Sequence, residues 1–286
     1  MSLKEIIVLG SLHYDIFLES SHLPRIGETV KGKKWYPKLG GKGCNQAIAA
    51  SLYSVPIKLI SAVGKDDFGY FILENLEKKN INIEYVQVLE NVNSGMSVAI
   101  SNSEGDYGAV IISGANQNIK THFLDDNNLW KNVEFLMLQN EIDESTNILA
   151  AKKAKEYGSK VFYNAAPAKK INSDLFKFVD IILVNTIEAQ DLTKVEIKNL
   201  QDIKIASKIL TKNIPTSIIS VGGEGVVFCE IDNEPIHFKG INVNVKSTHG
   251  AGDTFAGTFC SALVSGSKVI EAVEIANRKA TEFVSI

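Results

Sequence analysis

Short apolar runs typical of strands alternate with helix-like runs along most of the chain, and this alternation limits the folds that the chain can adopt. The strand-like runs are 6–9, 57–63, 96–100, 135–139, 160–164, 181–184 and 217–221. The helix-like runs are 45–54, 69–79, 144–157, 200–212 and 250–264. Alternation of this kind predicts an α/β protein with a mostly parallel sheet covered on both faces and ligands at the carboxyl ends of its strands.

Two stretches depart from this order, because they alternate apolar and polar residues without intervening helices. They are residues 12–38 and about 91–115, and we expect them to pair into a small sheet that projects from the core. Residues 241–245 also alternate like a strand. No internal repeat or low-complexity linker divides the chain. We therefore predict a single domain over residues 1–286, with the two strand segments inserted in its core.

Composition narrows the class of protein further. Hydrophobic residues make up 45% of the chain and charged residues 22%, as in soluble globular proteins. No apolar run reaches the ~18 residues of a membrane span, and no signal peptide opens the chain. The three cysteines, Cys44, Cys229 and Cys260, are scattered and indicate reduced thiols. These features together predict a cytoplasmic protein without membrane partners. The net charge of only −3 predicts that it has no nucleic-acid partner either.

A glycine-rich turn with an acidic residue opens the helix-like run 250–264. Gly250 and Gly252 let the backbone approach a ligand, and the free N–H groups of a first helical turn form an anion site. Asp253 places a carboxylate beside it, which suits phosphoryl transfer because the carboxylate can take a proton from an attacking hydroxyl. An ordinary N-cap, with Asp253 complementing the helix dipole, is the alternative.

A second glycine-rich segment, residues 39–47, precedes an alanine-rich helix near the other end of the chain. It is not a P-loop, because Lys42 is followed by Gly43 rather than by Ser or Thr. Its three glycines would let a small polar ligand lie against the backbone, with Lys42 and Asn45 supplying directed hydrogen bonds. A tight strand-to-helix turn alone would need fewer glycines.

Together the two segments resemble the two signature motifs of the ribokinase-like (PfkB) carbohydrate kinases, and the chain is most similar to the ribokinases among them. Shorter matches lie between and around them: Gly10-Ser11-x-x-x-Asp15, Pro24-x-x-Gly27-Glu28-Thr29, Val63-Gly64-x-Asp66-x-x-Gly69, Asn164-x-Ala166-Pro167-Ala168, Asn185-x-x-Glu188 and Ser220-x-Gly222-x-x-Gly225. The ordered set covers essentially the whole chain. It implies a three-layer α/β/α core with a mostly parallel central sheet, and a small β-sheet lid that pairs two subunits into a homodimer.

The resemblance implies an enzyme that transfers the γ-phosphate of ATP to a hydroxyl of a small sugar such as ribose. It implies Asp253 as the general base and the amides of Gly250, Ala251 and Gly252 as the anion hole. The implied sugar ligands are His13, Asp15, Gly41, Lys42, Asn45 and Glu141. The implied nucleotide ligands are Asn185, Ser220, Gly222, Gly225 and Asn277. Glu188 is implied to help hold the expected Mg²⁺, through water.

Some of these residues have an ordinary structural interpretation as well. Glu141 could be a solvated acidic turn at a strand end. Asn185 and Glu188 could mark a helix N-terminus with the glutamate in its first turn. Asn277 could be an exposed helix position. Each of these alternatives stays open at the level of the sequence.

Three departures from the family pattern bear on substrate and cofactor. His13 stands where ribokinases have an asparagine that bonds ribose, so the sugar could differ from ribose. Ser247 replaces the aspartate that usually begins the run before Asp253, and serine lacks the charge for a cation site. The sequence ends at Ile286, before a segment that completes the cation site and part of the adenine pocket. Activation by a monovalent cation is therefore doubtful.

Two other functions remain open. A nucleoside kinase or another sugar-derivative kinase of the same family would want an aromatic sandwich near the lid, which Tyr14, Trp35 and Tyr36 could supply. A catalytically weak sugar- or nucleotide-sensing protein is the alternative from a different class. The presence of Asp253 beside its glycine-rich turn argues against a pure sensor, which has no need of a general base.

Overall fold

A nine-stranded sheet is the middle layer of the protein, as seen in a computed structural model that describes residues 4–102 and 107–285. In chain order the described strands are β1 (Glu5–Leu9), β2 (His13–Glu19), β3 (Lys34–Gly40), β4 (Ile57–Gly64), β5 (Val86–Leu89), β6 (Met96–Ser101), β7 (Tyr107–Ile112), β8 (Val133–Gln139), β9 (Lys160–Asn164), β10 (Ile181–Asn185), β11 (Thr216–Ser220), β12 (Gly225–Glu230) and β13 (Ile236–Lys239). The large sheet has the order β13-β12-β11-β10-β9-β8-β1-β4-β5. Strands β12 and β13 are antiparallel and the others are parallel.

Helices cover both faces of this sheet. The described helices are α1 (Lys42–Ser51), α2 (Asp67–Glu77), α3 (Asn127–Trp130), α4 (Glu144–Glu156), α5 (Ser173–Phe176), α6 (Thr186–Thr193), α7 (Leu200–Leu210), α8 (Ala251–Val264) and α9 (Val269–Ser285). One apolar cluster packs α4, α6 and α7 against the sheet, and a second packs α1, α2, α8 and α9 against its other face. This arrangement confirms the predicted three-layer α/β/α core with a mostly parallel central sheet.

The first strand shows why an uninterrupted apolar run forms the centre of such a sheet. Ile6, Ile7, Val8 and Leu9 are all fully buried. Because successive side chains point to opposite faces, Ile6 and Val8 enter one apolar cluster while Ile7 and Leu9 enter the other. A strand covered on both faces therefore has no polar alternation.

Four adjacent parallel strands end in a polar residue. Gln139, Asn164, Asn185 and Ser220 are the last residues of β8, β9, β10 and β11. Since these strands are neighbours and run in the same direction, their carboxyl ends meet at one edge of the sheet. The fold thus gathers polar side chains where ligands are expected to bind.

A second, four-stranded sheet has the order β3-β2-β6-β7. Its β2 and β6 are parallel and its other two pairs are antiparallel. Its strands come from the two segments without helices, 12–38 and 91–115, although residues 103–106 lie outside the described part of the chain. A small sheet beside the core is therefore confirmed, whereas its action as a lid and the single-domain organisation over residues 1–286 stay predictions.

The strand predicted at residues 241–245 is wrong. The last strand of the large sheet is β13, which ends at Lys239, and residues 241–245 follow it as irregular chain. The apolar members of this segment, Ile241, Val243 and Val245, line a cavity instead of joining the sheet. The polar Asn242 lines the same cavity, so the alternation corresponds neither to a paired strand nor to a single face turned toward the cavity.

Within the described residues, none of the helices combines the length and the apolar composition that crossing a membrane would require.

Candidate active site

A cavity of about 710 Å³ lies at the carboxyl ends of β9, β10 and β11. The first turn of α8 and the second half of α9 supply other parts of its wall. It brings together most of the sequence-predicted site residues: Lys42, Asn185, Glu188, Ser220, Gly222, Gly225, Gly250, Ala251, Gly252, Asp253 and Asn277. The other predicted residues, His13, Asp15, Gly41, Asn45 and Glu141, are outside its lining. Hydrogen bonds tie Asn45 and Glu141 to residues that do line it.

The N-terminus of α8 forms one wall of the cavity. Gly250 is the N-cap of this helix, with φ 87° and ψ −2°, a left-handed conformation that favours glycine. A side chain at Gly252 would meet no atom within 4 Å, so the backbone there faces open space. The Ala251 N–H donates to the Thr248 carbonyl at 3.3 Å. The first-turn N–H groups that have no intrahelical acceptor, together with the positive end of the helix dipole, suit this turn to an anion.

Asp253, in the first turn of α8, is a buried carboxylate held by three side-chain amides. Its side chain is almost fully enclosed, at 3% exposure for the residue. Gln46 and Asn164 donate to its Oδ1 at 3.0 and 3.3 Å, and Asn45 donates to its Oδ2 at 3.3 Å. Burial raises the pKa of Asp253 above the ordinary aspartate value, while the Lys42 ammonium opposes this shift. An ordinary helix N-cap would not explain a carboxylate buried among amides from two other elements.

Glu141 joins the loop after β8 to the start of α1. Its Oε2 accepts a hydrogen bond from the Lys42 backbone N–H at 2.8 Å and another from the Ser11 hydroxyl. Gly41, the N-cap of α1, has φ 89°, and a side chain there would come within 2.6 Å of the Ser11 carbonyl oxygen. The carboxylate of Glu141 therefore has protein partners, and the alternative of a solvated acidic turn is wrong.

His13 and Asp15 are buried on one face of β2. Ser97 on β6 donates to Asp15 Oδ1 at 2.5 Å, and His13 Nδ1 lies 4.0 Å from the same oxygen. A Cβ atom at Gly40, across β3, would lie 1.8 Å from Asp15 Oδ2. Gly40 thus leaves the space that the Asp15 carboxylate fills. His13 and Asp15 together form a polar patch where the small sheet meets α1.

The sequence alternative for Asn185 and Glu188 is present in the structure. Together they form a capping box at the start of α6: Asn185 Oδ1 accepts from Glu188 N, and Glu188 Oε2 accepts from Asn185 N, both at 2.8 Å. Burial raises the pKa of Glu188, and the Asn185 N–H and the Lys42 charge oppose that shift. Both residues also line the cavity, so capping accounts for their hydrogen bonds without removing them from the site.

Turns with positive φ form the part of the cavity beyond β11. Gly222 and Gly225 have φ 54° and 98°, and Ser220 donates to the Val184 carbonyl at 3.4 Å. Asn277 is buried, and its amide donates to the Lys239 carbonyl at 2.9 Å. It is therefore not the exposed helix position that the sequence allowed, although this contact is structural.

The three aromatic residues named for a nucleoside sandwich are engaged elsewhere or exposed. Tyr14 stacks on Phe68 with ring centroids 4.2 Å apart, and Tyr36 stacks on Phe17 at 5.5 Å. Trp35 is 61% exposed. These contacts favour packing within the small sheet and against α2 over a pocket for a base.

Sequence reasoning missed several polar residues around the predicted ones. Gln46 and Asn164, which donate to Asp253, lay inside quoted motifs but carried no assigned role. Ser11 and Ser97, which donate to Glu141 and Asp15, were not assigned either. The available signal was a polar residue in an otherwise apolar, alanine-rich helix or strand, since such a residue needs a buried partner.

Among the described residues, no group of three or more His, Cys, Asp or Glu side chains is placed to hold a metal ion. Mg²⁺ does not require such a group, because it keeps several waters and is bound mainly through substrate phosphates with one or two carboxylates. Glu188, on the same cavity as the N-terminus of α8, is a carboxylate of that kind. The residues present therefore fit a magnesium ion bound together with a phosphorylated ligand.

Comparison with known proteins agrees with this architecture. The family model described as pfkB family carbohydrate kinase matches residues 3–285. The ribokinase of Lactococcus lactis is 34% identical over 279 residues, which cover 96% of this chain and 88% of that protein. The deoxyribokinase of Salmonella typhimurium is 30% identical over 283 residues, with 98% and 90% covered. The structure of Arabidopsis thaliana ribokinase complexed with ribose and ATP has a TM-score of 0.92 at 28% identity, covering 100% of this chain and 94% of that one.

The family match and these relatives identify a phosphotransferase that acts on an alcohol group, and the cavity places a helix N-terminus beside a buried carboxylate. The chain belongs to the pfkB family of carbohydrate kinases.

Proposed function

We propose that the protein transfers the γ-phosphate of ATP to a hydroxyl of a small sugar such as ribose. The observation that carries the proposal is the buried Asp253 carboxylate, which lies in the first turn of α8 and lines the same cavity as Gly250, Ala251 and Gly252. The names of the relatives support a pentose, because they include ribokinases and deoxyribokinases. The Arabidopsis structure with ribose and ATP supports the same pair of substrates.

Asp253 is the general base in this proposal. It accepts the proton of the sugar hydroxyl while that oxygen forms a bond to the γ-phosphorus, and the bond from phosphorus to the bridging oxygen breaks to release ADP. The N–H groups of Gly250, Ala251 and Gly252 stabilise the charge on the transferring group. The residues proposed to hold the sugar are His13, Asp15, Gly41, Lys42, Asn45 and Glu141.

The opposite end of the cavity suits the nucleotide. Ile241, Val243 and Val245 give it an apolar wall for a base, and the turn that contains Gly222 and Gly225 lies beside it. We propose Asn185, Ser220, Gly222, Gly225 and Asn277 as nucleotide ligands. Glu188 would hold the water shell of Mg²⁺, which supplies charge neutralisation on the phosphates when it is bound.

The small sheet would act as a lid and also pair two subunits. Val110, Ile111 and Ile112 on its outer strand β7 are exposed, as is Trp35 on the opposite outer strand β3. Consecutive exposed apolar residues on an edge strand favour a partner surface. The homodimer, the cytoplasmic location and the absence of nucleic-acid and membrane partners remain predictions.

The test is phosphorylation of an acceptor panel by the purified protein with ATP and Mg²⁺, with and without K⁺. The panel contains ribose, 2-deoxyribose, other pentoses, hexoses and nucleosides, and products are identified by mass spectrometry. We expect turnover on a pentose that does not depend on K⁺. If no acceptor reacts while ATP or a sugar still binds, the sensing alternative becomes the better account.

His13→Asn should change the choice between ribose and 2-deoxyribose. His13 is buried beside Asp15, and a Cβ atom at Gly95 would come within 2.7 Å of its Cδ2, so the imidazole fills its space tightly. Asparagine is smaller and offers both a donor and an acceptor to a hydroxyl. We expect the ratio of kcat/KM for the two sugars to shift by on the order of tenfold. The surface variant His22→Asn is the control, and an unchanged ratio would remove His13 from the sugar site.

A further inference from the structure

Behind the Asp253 carboxylate lies a second layer of fully buried amides. Gln46 on α1 and Gln139 at the end of β8 both have 0% exposure. Gln46 Nε2 donates to Asp253 Oδ1 at 3.0 Å, and Gln139 Nε2 donates to Gln46 Oε1 at 2.8 Å. A continuous chain of two hydrogen bonds therefore joins Gln139 to Asp253 through Gln46.

The direction of this chain follows from the charge of Asp253. An ionised carboxylate only accepts hydrogen bonds, so Gln46 must present its NH₂ group to Oδ1. The Gln46 carbonyl oxygen then faces Gln139, which must also present its NH₂ group. Reversing either amide would set two acceptors or two donors against each other. The charge of Asp253 thus sets the orientation of Gln46, and the NH₂ group of Gln139 holds Gln46 in that orientation.

Fold stability does not explain the pair of glutamines at positions 46 and 139. The Oε1 atom of Gln139 is buried, and no donor among the described residues reaches it. A Cβ atom at Gly10 would lie 1.9 Å from this oxygen, so the absence of a side chain there makes room for the amide. A buried unpaired carbonyl costs free energy that apolar side chains at both positions would avoid, whereas an apolar residue at 139 alone would leave the Gln46 carbonyl without its donor. Retaining the pair here points to a role in the site.

We propose that Gln46 and Gln139 are positioning residues, which occupy Oδ1 of Asp253 and leave Oδ2 as the atom that accepts the proton of the substrate hydroxyl. Oδ1 receives two amide donors, from Gln46 at 3.0 Å and Asn164 at 3.3 Å, whereas the described residues bring one side-chain donor to Oδ2, Asn45 at 3.3 Å. Oδ2 therefore keeps a lone pair for the substrate. This inference rests on the proposed role of Asp253 as the general base.

The test is a double-mutant cycle on the full protein with Gln46→Met, Gln139→Met and the double variant, because methionine keeps the volume and removes the amide. Gln46→Met removes a donor to the carboxylate, which moves the acidic limb of the kcat profile to higher pH by about one unit. Below that limb kcat falls about tenfold, while KM for sugar and ATP changes by less than about twofold. The exposed Gln201→Met is the matched control.

The cycle distinguishes an effect of Gln139 that reaches Asp253 through Gln46, here called the relay, from independent packing effects of the two residues. If Gln139 acts through Gln46, Gln139→Met moves the pH profile in the parent but adds nothing in the Gln46→Met background. Additive losses of kcat with an unmoved pH profile would overturn the proposal. Every variant of the cycle keeps Lys42 and Glu141, whose charges shift the pKa of Asp253. Every variant also keeps Glu188, whose pKa is raised by the charge of Asp253.

A measurement on the unmodified protein covers the case in which a variant does not fold. The side-chain NH₂ signals of Gln46 in ¹⁵N spectra should shift with the titration of Asp253, and those of Gln46 and Gln139 should be slow to exchange with solvent. Signals that ignore this titration would contradict the relay. Activity retained in Asp253→Asn would instead refute the proposed base, whatever the spectra show, so the two failures are distinguishable.

Discussion

Asp253→Asn should lower kcat by about 10²–10⁴, the contribution of a positioned general base. The asparagine amide keeps the size of the side chain but cannot accept the proton of the sugar hydroxyl. The anion site proposed at the start of α8 consists of backbone N–H groups, which the substitution leaves in place. The KM for ATP should therefore change little. The measurement is steady-state kinetics on the acceptor found in the panel.

The parent enzyme should also lose activity at acidic pH through this residue. Because burial raises the pKa of Asp253, the acidic limb of kcat should lie above the range of an ordinary aspartate, and the rate should fall as the carboxylate is protonated. The same sign applies to stability. Above a raised folded-state pKa the buried charge is less stable in the folded chain than in the unfolded one, so loss of the charge by itself should not lower the free energy of unfolding at pH 7. The new NH₂ group would face an amide donor at one of the two oxygen positions, and this contact opposes that gain.

The control for this variant is Asp232→Asn, an exposed aspartate at φ 61°, a left-handed conformation that asparagine also tolerates. It should retain parental kcat and thermal stability. If Asp253→Asn kept a tenth or more of the parental kcat while Asp232→Asn behaved normally, another group would have to be the base.

Much of the α/β fold and both glycine-rich segments of the candidate site were predictable from the sequence. The apolar run of β1 has no polar alternation because both of its faces are covered, and within the alternation of strand-like and helix-like runs that pattern indicates a buried parallel strand. The turn at Gly250 and the segment around Lys42 were found because glycine and charge together are unusual before a helix. The family resemblance then carried their chemical roles, which composition and spacing could not.

The hydrogen-bonded contacts around Asp253 could not be predicted from the sequence, because they join residues that are far apart in the chain. Gln139 and Gln46 are 93 positions apart, and Gln46 and Asp253 are 207 apart. Local patterning contains no information about such pairs. The strand prediction for residues 241–245 failed for a related reason, because alternation alone does not distinguish a paired strand from an irregular segment. Only the course of the chain after β13 distinguishes the two cases.

Gly257→Ala should be strongly destabilising even though it lies inside a helix. In an open helix this change would stabilise by about 0.5–1 kcal/mol, because glycine is a poor helix former. Here α8 packs directly on α1, and a Cβ atom at position 257 would lie 2.5 Å from the Gln46 carbonyl oxygen and 2.7 Å from both Ala49 Cβ and Ala50 N. Two of these atoms are backbone, so relief requires the helices to separate. Overpacking of this kind costs roughly 1–3 kcal/mol, and we expect a net loss in that range.

The same substitution should reduce catalysis beyond its effect on folding. Helix α1 carries Asn45 and Gln46, and α8 carries Asp253, so moving the helices apart lengthens the amide contacts that hold the carboxylate. A misplacement of about 1 Å can cost on the order of 10²-fold in rate. Chemical denaturation gives the free energy of unfolding, and kcat is measured on the folded fraction. Gly32→Ala, whose Cβ would have its nearest contact at 3.5 Å, is the control and should change neither quantity. Unchanged stability and kcat in Gly257→Ala would show that α1 and α8 can move apart without disturbing Asp253. The contact between these helices would then not determine the geometry of the base.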